Sequence, residues 1–171
     1  MRSIVHEAAL RYAELGYPVF PCSSGDKVPG TEHGFHDAST DPDQIDRWWS
    51  QRPSSNVGIP TDGLLVVDVD AEATWLHGRL EWELDLAEGA FSRTPSGGRH
   101  FIFRQPDGKA WNSSQGQIAP HVDIRANGGY IVAPPSAIPG GKTYYWVPGN
   151  ELDVPREQLS LPPDWLIEIL D

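Results

Sequence analysis

The sequence predicts an α+β fold in which an N-terminal α/β part precedes a β-rich half built on mixed or antiparallel sheet. Three observations lead there. Apolar residues recur at helical spacing near the N-terminus, an acidic middle stretch reads as helical, and Pro162-Pro163 opens a last helix. After Gly89 the chain becomes short β runs separated by Gly and Pro. The 171 residues, 39% hydrophobic and 22% charged, suit a single core-bearing domain without internal repeats. Its expected parts are an α/β section over 1–60, a β-rich core over 61–150 and a tail with a helix over 151–171.

The elements follow in order. Ser3 is placed to cap a helix whose apolar positions are Ile4, Val5, Ala8, Ala9, Tyr12 and Leu15, closed by Gly16. Tyr17–Cys22 reads as a strand, and a Gly/Ser-rich loop runs from Ser23 to Gly34. Thr40, Pro42 and Asp43 open a second helix carrying Ile45, Trp48 and Trp49, which Arg52-Pro53 ends. Asn56–Pro60 reads as a strand, and Thr61-Asp62-Gly63 as a turn. Leu64–Asp70 is apolar on both faces until its end, as a central strand should be. Ala71–Ala87 is read as an acidic helix with Gly78 as its weak point. Strands are then expected over Phe91–Thr94, His100–Arg104, His121–Arg125, Tyr130–Ala133 and Thr143–Val147, with a last helix from Asp164 to Leu170.

Composition narrows the function. One cysteine, Cys22, excludes an intrachain disulfide framework and a Cys-rich zinc module. No run approaches the roughly 20 apolar residues of a membrane span. Charged residues interrupt the first 16 positions where a signal peptide would need an apolar stretch. A soluble cytoplasmic protein with no membrane partner is the expectation. The net charge of −11 opposes a broad basic nucleic-acid surface. It is uneven, however. Residues 37–90 hold 12 acidic against 3 basic groups, whereas 91–150 hold 6 basic against 2 acidic.

Three motifs carry chemistry. Asp68 and Asp70 stand two apart at a strand end, so both carboxylates can converge on a divalent cation; solvated aspartates at a sheet edge are the other reading. In Thr94-Pro95-Ser96-Gly97-Gly98-Arg99-His100 the glycines allow close backbone approach, and Arg99 and His100 are donors suited to phosphate. The other reading is an ordinary hairpin turn. In His121-Val122-Asp123-Ile124-Arg125 one face is apolar, and the other sets a carboxylate beside a guanidinium. Taken alone this is a surface ion pair; facing the same cleft as Asp68 and Asp70, Asp123 would be a third carboxylate. Lys27 could reach a triphosphate from its loop. His33 and His36 more simply decorate theirs, and Trp111 and Trp146 could stack on bases or pack.

Together and in this order these pieces resemble the bifunctional DNA primase/polymerase N-terminal (prim-pol) domain of the archaeo-eukaryotic primase superfamily. Ala8-Ala9, Gly16, Pro18, Lys27, Pro29, Asn56-Val57-Gly58-Ile59 and Val67-Asp68-Val69-Asp70 belong to the likeness. So do Ser96-Gly97-Gly98-Arg99-His100, Val122-Asp123-Ile124-Arg125 and Gly128 to Ser136. The resemblance implies an RRM-like catalytic core flanked by the N-terminal α/β unit, with the active cleft between them. It implies template-dependent nucleotidyl transfer in the replication of a phage, plasmid or bacterial element.

By the same resemblance, Asp68, Asp70 and Asp123 would hold two Mg²⁺ or Mn²⁺ ions. One would activate a primer 3′-hydroxyl and one would stabilise pyrophosphate. His100, Arg99 and Lys27, with Ser96, Gly97, Gly98 and Arg125, would hold the NTP or dNTP. The implied partners are a DNA template and primer, with a helicase or helical primase-associated domain in cis or trans. Because such a helical part often supports de novo priming, primer extension is the expected activity, whether the chain is a domain of a longer replication protein or a stand-alone relative. Gly98 stands where many relatives carry Ser. A non-catalytic nucleotide- or nucleic-acid-binding module and a metal-dependent nuclease are the alternatives. The nuclease reading is weakened by Glu72, where a lysine would follow the aspartates.

Overall fold

The computed structural model describes residues 1–171 and bears out the α+β class. Its elements are α1 (Ile4–Glu14), β1 (Phe20–Cys22), α2 (Pro42–Gln51), β2 (Asn56–Pro60), β3 (Leu64–Val69), α3 (Leu80–Leu86), β4 (Ala90–Arg93), β5 (Arg99–Arg104), β6 (Ser114–Ala119), β7 (Val122–Arg125), β8 (Tyr130–Ala133), β9 (Tyr145–Trp146) and α4 (Asp164–Leu170). The chain divides into two compact units. One comprises 1–60, 130–145 and 153–156, and the other 61–129, 146–152 and 157–171. The return of 130–145 to the first unit departs from the contiguous 61–150 core read from sequence.

In the first unit, Ser3 caps α1 as its sequence suggests, its hydroxyl accepting from the His6 N–H at 3.1 Å. On α2 the cap is Asp41 rather than Thr40, since it is the Asp41 carboxylate that accepts from the Asp43 N–H, at 3.0 Å. His6 Nε2 lies 2.7 Å from Asp46 Oδ1 and joins the two helices. Their buried faces supply Ala9, Tyr12, Ala13, Ile45 and Trp49. Beside them lies an antiparallel sheet in the order β1-β2-β8. Gly58 faces Phe20 in that ladder, and a Cβ there would overlap the tip of the Phe20 ring. Asn56 ties the surrounding loops together, its amide bonding to Asp26 O and Ala137 O and its carbonyl accepting from Ala137 N–H.

The second unit is built on a six-stranded sheet in the order β6-β7-β3-β5-β4-β9. Its β6-β7-β3-β5-β4 ladders are antiparallel, and β3 is central. Alternation sends Leu65, Val67, Val69, Phe101, Phe103, Val122 and Ile124 to one face, where Leu86 of α3 and Leu166 of α4 pack on them. Trp75, Trp82 and Trp165 enlarge this layer, the last two stacked at 4.1 Å. Two expectations are corrected. The helix drawn over Ala71–Ala87 is only α3, because Gly78 takes a φ of +73° and breaks the earlier part into turns. Sequence also missed β6, whose Ser-Gln-Gly-Gln core has no apolar alternation to reveal it.

Candidate active site

The register of the second sheet aligns a polar row on the face opposite the aromatic layer. Asp68 on β3 pairs with His100 on β5 and with Asp123 on β7. His100 in turn pairs with Ser92 on β4, and Asp123 with Gln115 on β6. Directly paired residues share a face, and i±2 neighbours join them, so Arg125 lies on that face too. Five strands thus each give one polar residue to a single line.

The carboxylates are held from both sides. Asp68 Oδ1 lies 3.4 Å from His100 Nε2, and its Oδ2 lies 3.6 Å from Arg125 Nη2. Asp123 Oδ2 is 3.5 Å from the same Arg125 nitrogen, while its Oδ1 accepts from the Gly116 N–H at 3.0 Å. The Asp68 side chain is only 18% exposed and that of Asp123 27%. Carboxylates this shielded and this close would repel each other without a counter-charge, and Arg125 supplies one.

Asp70 is placed differently. It lies past the end of β3 and is exposed. Its N–H donates to His121 O at 3.0 Å, with His121 in the left-handed conformation at φ 61°. No three His, Cys, Asp or Glu side chains gather closely enough to cage a metal ion. Asp68 and Asp123 nevertheless turn one hard oxygen each toward a single positive nitrogen, the donor chemistry that Mg²⁺ or Mn²⁺ uses.

The Gly-rich segment closes on itself. Gly97 adopts φ +88° and its N–H donates to Thr94 O at 3.0 Å, while the Gly98 N–H donates to Thr94 Oγ1 at 2.9 Å. Both amides expected to cradle phosphate are therefore engaged within the turn. A Cβ on Gly98 would lie 2.9 Å from Thr94 Oγ1 and 3.1 Å from Val69 O, so a larger residue here would crowd both. Ser96 is exposed, with its hydroxyl 3.3 Å from that of Thr94.

Arg99 is not brought beside His100. Being adjacent on a strand it takes the opposite face, where its Nη1 meets Glu83 Oε1 at 3.4 Å and its guanidinium lies over Phe101. Lys27 belongs to the other unit, in an exposed loop whose backbone carbonyl accepts from the Tyr130 hydroxyl at 2.9 Å. His33 pairs with Asp37 at 3.2 Å. Trp111 packs at the edge of the aromatic layer and donates to Asp171 at 3.1 Å. The ion-paired hydrogen bond from Lys109, then that from Trp111, holds the Asp171 carboxyl below its usual range. Cys22 is fully buried, and burial together with the Asp26 charge pushes its thiol up to about 12, so it is no nucleophile near neutrality.

Ser92 is the residue sequence reading missed. It is 1% exposed and its Oγ has no hydrogen-bond partner, directly across from His100. The alternation Phe91-Ser92-Arg93 signals a face change, but only the register sets that serine beside the histidine.

The family model for the bifunctional DNA primase/polymerase N-terminal domain matches residues 9–165, most of the chain, which therefore belongs to that family. No curated protein matches the chain.

Proposed function

From membership of the bifunctional primase/polymerase family, we propose that the polar face of the second sheet performs template-dependent nucleotidyl transfer, extending a primer with NTP or dNTP. The observation that carries this reading is the line formed by Asp123, Asp68 and His100 on three adjacent strands, with Arg125 on the same face. Two carboxylates, an imidazole and a guanidinium on a rigid sheet are the groups needed to bind a triphosphate and order its reacting end.

Asp68 and Asp123, with Asp70 at the strand end, would hold Mg²⁺ or Mn²⁺. The cations would supply neutralisation of the triphosphate and acidification of the attacking hydroxyl. The protein's own groups divide the remaining work. Asp68 orients the His100 ring through Nε2. His100 sets its imidazole beside these carboxylates at the edge of the nucleotide site. Arg125 offers a planar donor fork to the triphosphate. Ser96 is an auxiliary contact in this reading, and Lys27, which belongs to the other unit, is left out of it. Arg99 is left out of it, because its guanidinium serves the opposite face.

Incorporation of labelled dNTP or NTP on a primed template with Mn²⁺, with and without chelator, tests the proposal. Extension that stops in Asp68→Asn and in chelator is the expected result. Template degradation would replace the reading with a nuclease. Nucleotide binding without either reaction would replace it with a non-catalytic module.

A further inference from the structure

The Oδ2 atoms of Asp68 and Asp123 both face one atom, Arg125 Nη2, at 3.6 and 3.5 Å. Their Oδ1 atoms are turned elsewhere, toward His100 and the Gly116 N–H. A side-chain cation thus lies between the two carboxylates. Arg125 reaches this position from β7, where it pairs with Val66, two residues from both carboxylates along their strands.

We infer that Arg125 is a built-in counter-ion, occupying the cation position between Asp68 and Asp123 and competing with a divalent metal ion for the same two oxygens. This rests on the proposed metal-assisted reading of the site. A divalent ion needs carboxylate oxygens at about 2.0–2.6 Å and tolerates no second cation between them. The two guanidinium contacts are longer than the roughly 2.7–2.9 Å of a tight charge-assisted bond. At 34% exposure the Arg125 side chain has solvent to move into. It holds the carboxylates together in the metal-free protein and yields when the ion enters, which frees its donor fork for the anionic nucleotide accompanying the metal. Arg125 is thus a positioning residue as well as a nucleotide contact.

Removing this cation should therefore strengthen metal binding. Mn²⁺ affinity is measured on the full chain from the EPR signal of free Mn²⁺, together with thermal unfolding followed by circular dichroism. Arg125→Gln should bind Mn²⁺ about three- to ten-fold more tightly than the parent, the range expected for losing partly exposed ion pairs. Without metal it should melt lower, and Mn²⁺ should raise its midpoint more than the parent's. Arg125→Lys, which keeps the charge, should stay near the parent. A folded Arg125→Gln that binds Mn²⁺ equally or more weakly overturns the counter-ion role, and parent primer extension would leave the proposed activity standing. If neither protein binds Mn²⁺ in a way that Asp68→Asn abolishes, the metal reading and this inference fall together.

Discussion

The two faces of the second sheet are written by the same strands and differ in almost every physical respect. On β5, Phe101 and Phe103 enter the layer under α3 and α4, while His100 between Arg99 and Phe101 points the other way. On β7, Val122 and Ile124 are buried in that layer and Asp123 and Arg125 face the polar row. Strand alternation lets one backbone carry the buried layer on one side and the polar row on the other. The cost of the polar row, partly shielded like charges, is offset by pairing with Arg125, His100 and the Gly116 N–H.

Substitutions should therefore separate by face. The largest effect is expected from Phe101→Ala on the apolar face, which should cost about 3–5 kcal/mol of unfolding free energy because a 1%-exposed ring leaves a cavity. Denaturant melts would show it, and a loss below 1 kcal/mol would mean the aromatic layer is not the main support. Next is Asp68→Asn, isosteric and on the polar face. Extension should fall about 100-fold or more, as when an electrostatic partner of a transition state is removed, with the melting midpoint little changed. Collapse of the fold instead would make Asp68 a structural residue.

Smaller effects refine the boundary between the faces. Gly98→Ser should destabilise by about 1–3 kcal/mol, since its Cβ crowds Thr94 Oγ1, and adding Thr94→Ala should recover part of the loss. Additive losses in a double-mutant cycle would remove the proposed crowding. The smallest effect is expected from Arg99→Gln, whose partly exposed link to Glu83 is worth at most about 1 kcal/mol. Its KM for nucleotide should change less than about three-fold by the same scale of exposed ion pairs. A large rise in KM would show Arg99 reaching the nucleotide after all and blur the two faces.

Much of this arrangement was legible in the chain. The capped α1, the central β3, the short β runs and the C-terminal α4 all appear where spacing and turn residues place them. Asp68, His100 and Asp123 were each visible as chemistry-bearing side chains. Less visible were the break at Gly78 and the strand β6, the first because a left-handed glycine overrides helical spacing, the second because an exposed polar edge carries no hydrophobic signal. Arg99 was grouped with His100 because they are adjacent in sequence, although adjacency on a strand is what separates them.

By itself, then, the sequence determined the α+β class, the family, and which side chains are available for chemistry, because these depend on local spacing and on motifs a few residues long. Only the tertiary structure decided which of them meet. Register across five strands aligned Gln115, Asp123, Asp68, His100 and Ser92, placed Arg125 between two carboxylates, and left Asp70 beyond the strand end. Pairing between strands up to tens of residues apart is fixed by burying one whole face against the aromatic layer. A slip of one residue would exchange the two faces, and the carboxylates would lie in the core.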